Sequence, residues 1–313
     1  MIAVADRLST YAASLLVDWY ADRTAHSYQL TSVTDAALPV YVADGPDGKL
    51  AVAIAALWEP ESDAPAEDAR QLMEERLTAG NVRGPYVVWV PPHASVPSQE
   101  PAASDFVMRT QLAAAPMQPG TRNEINLPVK IQIAKLRDEG GYANVSGGLS
   151  RFWTQITERV DGTFSVNAMR IRRAPQSEAT RIALFDTIGE RSKELSTGQA
   201  AELDAVEAWT VQRLRAEPLG ETGFAIAQAP PRIDPSDGTL MRRLVRKRLK
   251  DAAASLEGID ADVKGVGLVA IYEYAEHENV GSFVKSLDPG LYAKLPLVAA
   301  IADGEVRPIF QPR

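Results

Sequence analysis

The 313-residue sequence predicts a mixed α/β fold, and three observations carry that expectation. Apolar residues recur at helical spacing between Asp6 and His26, the turn-forming Asp44-Gly-Pro-Asp-Gly48 separates two strand-like runs, and Tyr86-Val-Val-Trp-Val90 is apolar at every position. The expected organisation is a helix–three strands–helix–strand core over residues 1–92 and a Pro-rich linker or long loop over 93–120. A mixed, mostly helical middle region over 121–228 and a C-terminal α/β region over 236–313 complete it.

The first helix rests on Leu8, Tyr11, Ala12, Leu15, Leu16 and Trp19, whose three- and four-residue steps line one helix face. Tyr28, Leu30 and Ser32 then alternate with their neighbours as a strand does, and Pro39-Val-Tyr-Val-Ala43 reads as a second strand. The Asp44–Gly48 turn folds that strand back onto Leu50–Leu57, because Asp and Gly tolerate the dihedrals a tight turn requires. Asp63 is placed to cap a helix carrying Ala69, Leu72, Met73, Arg76 and Leu77, with Gly80 at its end. Tyr86–Val90 is the strand of a sheet covered on both faces.

Pro91, Pro92, Pro97, Pro101, Pro116 and Pro119 mark the linker, with Asp105–Arg109 as a segment that can anchor it to a core. Beyond it, strands are expected at Leu127–Ile133 and Thr163–Ile171, and helices at Leu149–Val160, Ser177–Leu195 and Ala200–Glu217. A second linker is expected at Ala229–Pro235. The last segment should hold a helix over Asp237–Leu256, a strand over Val266–Tyr274 and a short helix near Val280–Leu287. The strand pair Leu297–Ile301 and Val306–Phe310, turning at Asp303-Gly304, closes it.

Composition excludes several function classes. With no Cys there are no disulfides, thiolate zinc sites, iron–sulfur clusters or cysteine nucleophiles, and a reducing cytoplasm suits such a chain. The N-terminus lacks a basic leader, and no apolar run approaches the ~18 to 20 residues of a membrane-spanning helix, so a cytoplasmic protein away from membranes is expected. The net charge of −8 favours solubility and argues against a surface that is basic everywhere.

The order helix, three strands, helix, strand over roughly the first 92 residues resembles the core of the PD-(D/E)xK nuclease superfamily. The resemblance implies an Asp on the second strand, and an acid two residues before a Lys on the third, that bind Mg²⁺ and activate water for phosphodiester cleavage. Asp44 matches the first position, and Glu59 is the acid at the end of the third strand, so these two are the candidate metal ligands. That strand has its only Lys, Lys49, at the start and no Glu-x-Lys, which implies a degenerate copy. Mg²⁺ is implied only if the chain is a nuclease.

The strongest charge feature is Met241-Arg-Arg-Leu-Val-Arg-Lys-Arg-Leu-Lys250. On a helix Leu240, Leu244, Leu249 and Ala253 face a core, while Arg242, Arg246 and Lys250 form a stripe with Arg243 and Lys247 beside it. Such a stripe can meet a phosphate backbone or another protein's acidic surface. Arg170, Arg172 and Arg173 extend the patch if the two segments are close in space. A solvated helix face is the plainer reading of the same residues.

Other clusters carry less. Ser146-Gly-Gly148 before a helix lacks the phosphate-binding glycine patterns and reads as a turn and cap. Glu276-His277-Glu278, with Glu273 and Asp260 or Asp262, reads as a solvated loop before it reads as a metal site. Tyr272, Tyr274, Trp153 and Trp209 read as core or interface aromatics. The functional expectation is a non-catalytic or degenerate nuclease-like subunit that binds nucleic acid or an acidic protein through its basic helix. A Mg²⁺-dependent nuclease and a structural scaffold subunit are the alternatives.

Overall fold

The computed structural model describes residues 6–34, 36–58, 64–230, 238–269, 281–282 and 284–311. The chain is mixed α/β and divides into two compact units, one formed by Met1–Asn123 with Thr210–Arg313 and the other by Glu124–Trp209.

The first unit is built on a six-stranded sheet. Its strands are β1 (Gln29–Thr34), β2 (Val40–Gly45), β3 (Gly48–Ala56), β10 (Val263–Val269), β11 (Leu297–Ala302) and β12 (Glu305–Phe310), in that spatial order. The β1–β2–β3 meander is antiparallel, β10 lies parallel to both β3 and β11, and β12 returns antiparallel. The β2–β3 turn depends on Gly48 at φ +116, and the Asp262 carboxylate accepts from the Lys49 backbone N–H at 2.8 Å.

Helix α1 (Arg7–Thr24) covers one face of this sheet. The spacing of its apolar residues predicts one buried face, yet Tyr11 through Val17 are buried without a break. The reason is a second layer: Val87, Trp89, Ala225 and Ala227, from β4 (Pro85–Trp89) and β9 (Gly223–Ala227), pack on α1 opposite the first sheet. A helix enclosed on several sides needs apolar or small residues around its circumference, and Ala12, Ala13 and Ser14 supply them. The other face of the six-stranded sheet is sealed by α6 (Gly238–Ser255).

In the same unit β4 pairs parallel with β9 and antiparallel with Thr210–Arg213, the end of β8 (Ala200–Arg213). The position beside β3 belongs to β10, so the fourth strand in sequence does not join the first three. Helix α2 (Ala64–Thr78) packs on β9 and on α3 (Ala102–Ala114). Helix α3 corrects the expected linker. Prolines flank the segment at Pro101 and Pro116, where a helix tolerates them, and Phe106 between them is fully buried.

The second unit pairs β6 (Tyr142–Gly147), β7 (Thr163–Ala168), β5 (Arg122–Arg137) and β8 in that order. Arg122 and Asn123 of β5, like Thr210–Arg213 of β8, belong by sequence to the first unit. Helices α4 (Trp153–Thr157) and α5 (Glu178–Glu194) cover one face through Ile156, Leu184, Phe185 and Ile188, packed on Ile131, Ile133, Phe164 and Val166. Ser177 caps α5 by accepting from the Thr180 N–H.

Two expectations for this stretch are overturned. The segment expected as a helix over Ala200–Glu217 is the strand β8. Its Ala, Glu and Leu favour a helix, but Leu203 and Ala205 alternate inward and sheet pairing overrides propensity. The helix expected over Leu149–Val160 shrinks to a short 3₁₀ turn and α4, and β6 and β9 have no counterpart among the expected strands. Residues 270–274 of the expected C-terminal strand and 231–235 of the second linker lie outside the described residues. No helix among the described residues is long and apolar enough to cross a membrane.

Candidate functional site

The basic sequence of the C-terminal segment forms α6, and packing sorts its residues by face. Met241, Leu244, Val245, Leu249 and Ala252 are buried against Ala51, Ala53 and Ala55 of β3, Val266 and Leu268 of β10, and Val298 of β11. Small alanines on β3 let the larger α6 side chains approach the sheet closely. The helix is tied at its end as well: the Leu38 backbone N–H donates to Ser255 Oγ at 2.9 Å, and Lys264 Nζ donates to the Leu256 carbonyl at 3.1 Å.

The opposite face presents Arg242, Arg243, Arg246, Lys247 and Lys250, all exposed. Arg242, Arg246 and Lys250 follow one another at about 6 Å along the axis, the rise of four helical residues. At the start of the helix, Gly238, Thr239, Arg242, Arg243 and Arg246 line an open depression. Arg248 departs from the pattern. Its guanidinium turns inward and donates to the carbonyls of Ala56 at 2.9 Å and Trp58 at 2.8 Å, where β3 ends.

Arg170, Arg172 and Arg173 follow β7 in the second unit, whereas α6 belongs to the first. Arg170 is exposed and Arg173 is 5% exposed. The Arg172 backbone N–H donates to Glu207 Oε1 at 2.7 Å, and its guanidinium lies 3.6 Å from Glu207 Oε2. Glu207, 3% exposed, also accepts from Trp209 Nε1 at 3.0 Å. These contacts use Arg172 to neutralise a buried acid, which is a structural task.

Asp44 is exposed at the end of β2, directly opposite Lys49. The far end of β3, Ala56, is seven residues further on, about 23 Å at the rise of a strand. Glu59, Glu273, Glu276, His277 and Glu278 lie outside the described residues. Asp262 of the expected loop cluster holds the β2–β3 turn through Lys49, and Asp260 is exposed. Ser146 and Gly147 end β6, and Gly147 takes φ +72 where a Cβ would strike the Ala168 carbonyl. Trp209 is buried and Trp153 exposed, its ring 6.1 Å from that of Tyr142.

Sequence reasoning missed two acids whose chemistry is set by burial. Glu74 of α2 is pushed up to about 7 by burial, against the Arg70 charge and the Ile226 N–H, which donates to its Oε1 at 2.6 Å. It fastens α2 to β9. Asp18 of α1 is pushed up to about 6 by burial, with Arg215 pulling the other way and Asp22 adding to the rise. Arg215 is itself held in a fork by Asp22, at 2.6 Å to each carboxylate oxygen. A lone Glu or Asp on the apolar side of a helix period was the available signal for both. Comparison of the chain with protein-family models, with curated proteins and with solved structures finds no match.

Proposed function

We propose that this chain is a non-catalytic binding subunit that engages the phosphate backbone of nucleic acid through the exposed face of α6. The observation that carries the reading is the separation on that helix: five exposed cations on one side, and on the other an apolar surface packed into the sheet. A face held this way presents its charges without further ordering of the backbone, which lowers the entropic cost of binding. Three of the five are Arg, whose planar fork matches phosphate oxygens in pairs. The net charge of −8 repels a polyanion at long range, so attraction is confined to this face and is strongly dependent on salt.

A mobility-shift titration of equal-length duplex DNA, single-stranded DNA and RNA at low and moderate salt tests the reading. Binding that weakens with salt and is lost in the Arg242→Glu/Arg246→Glu/Lys250→Glu variant supports it. Absence of binding, or binding untouched by those changes, sinks it. Retention of a polyglutamate probe in place of nucleic acid would reassign the face to an acidic protein.

A nuclease-like ancestry is the second reading, favoured by the order α1, β1, β2, β3. Cleavage of DNA or RNA in Mg²⁺ or Mn²⁺ that disappears in Asp44→Ala would make the chain an enzyme.

A further inference from the structure

The six-stranded sheet has two edges, and their chemistry differs. β12 carries Glu305, Arg307 and Pro308, and charge and proline are the usual protection of an exposed edge. Glu305 is held there by Arg307 at 2.7 Å and Arg122 at 3.2 Å. β1, Gln29-Leu-Thr-Ser-Val-Thr34, has no charge and no proline, and all its residues except Leu30 are exposed. Both edge strands contain a register shift, so a bulge does not distinguish them. Among the described residues β1 pairs with β2 alone.

A groove runs beside β1. It is lined by the strand itself, by the turn from Ala216 to Gly220, and by Ser14, Val17 and Asp18 of α1. Asp18 and Glu217 are the charged side chains that line it. Glu217 is exposed, whereas Asp18 is half-buried and makes no hydrogen bond or ion pair among the described residues. Arg215, whose charge acts on Asp18, is committed to Asp22 through both of its terminal nitrogens.

We propose that the open edge of β1 is a strand-addition site for an extended peptide bearing lysine or arginine, its backbone pairing with β1 and a cationic side chain reaching Asp18 and Glu217. Main-chain pairing supplies the affinity in this mode of recognition, and the groove supplies the preference. The charge of the groove selects the occupant. A second copy of the chain would bring another uncharged β1 and leave both acids unpaired, and an acidic peptide would be repelled. Burial raises the Asp18 carboxyl to about 6, with Arg215 lowering and Asp22 raising it, so its negative charge is poorly solvated and an incoming ammonium or guanidinium stabilises the ionised form.

The test uses the full chain and two fluorescein-labelled heptapeptides, one alternating lysine with valine and the other glutamate with valine, followed by anisotropy. The lysine peptide should bind saturably and at least about 10-fold more tightly than its glutamate counterpart, and Asp18→Asn should weaken it about 5-fold. Hydrogen exchange should show added protection at the amides of residues 29–34 when the lysine peptide is present. Asp18→Asn removes a half-buried unpaired charge, so the variant should fold at least as well as the parent. Equal binding of the two peptides, full binding by Asp18→Asn, or unchanged exchange at β1 would each overturn the proposal. A solution dimer whose β1 amides are already protected would overturn it in favour of a second copy.

Discussion

Arg248 on α6 donates to the carbonyl of Trp58 at 2.8 Å, although Arg246, two positions earlier in the same basic run, is exposed. Two arginines separated by one residue lie 200° apart around a helix, so one faces the sheet while the other faces solvent. Arg248→Ala would leave the Ala56 and Trp58 carbonyls without their donor, costing about 2 kcal/mol. Arg246→Ala should fall within about 0.5 kcal/mol of the parent. Urea unfolding of the two variants side by side checks the contrast, and equal losses would contradict it.

On the exposed face the effect of substitution should appear in binding. Removing one phosphate-contacting cation lowers the salt dependence by about one unit of slope, so Lys250→Ala should flatten the plot of log affinity against log salt concentration while leaving the unfolding midpoint unchanged. The Arg248→Ala slope should match that of the parent, measured below its unfolding midpoint.

Glu74 sets a pH dependence of stability. Burial raises its carboxyl to about 7 from an ordinary value near 4.5, so the folded chain holds a proton that the unfolded chain releases. Its contribution is therefore present in full below about pH 4 and lost as the pH rises towards 7. Asp18, raised to about 6, acts in the same sense over a lower window. Glu74→Gln keeps an acceptor for Ile226 and Arg70 without the charge. Its stability relative to the parent should improve between pH 5 and pH 8, as read from urea midpoints. A constant difference across that range would remove Glu74 from the account.

Glu207, a buried acid of the second unit, accepts from the Arg172 backbone N–H and from Trp209 Nε1. Glu207→Ala strands the Arg172 and Trp209 N–H groups and should cost about 3 kcal/mol, whereas Glu207→Gln, which can still accept, should cost less. Hydrogen exchange at the Arg172 amide distinguishes the two, with the Ala variant losing protection first.

Local chemistry made much of the first unit legible. The Asp44–Gly48 turn, the apolar run before Trp89 and the two-sided chemistry of α6 are all encoded within a few residues of one another. The middle of the chain was harder to read. Ala200–Arg213 combines helix-favouring residues with inward alternation, and only pairing with neighbouring strands decides between the two states. The Pro-rich stretch concealed α3 because prolines at a helix boundary look, residue by residue, like those of a linker.

At the candidate sites the division is similar. The sequence by itself placed five cations on one face of α6, because a period of 3.6 residues leaves little freedom once Leu244 and Leu249 face inward. Only the tertiary structure decided that Arg248 serves β3, that Arg172 serves Glu207, and that Asp18 lines a groove beside β1. Those relationships join residues far apart in the chain, and the energies of burial and pairing that define them arise only when the segments meet.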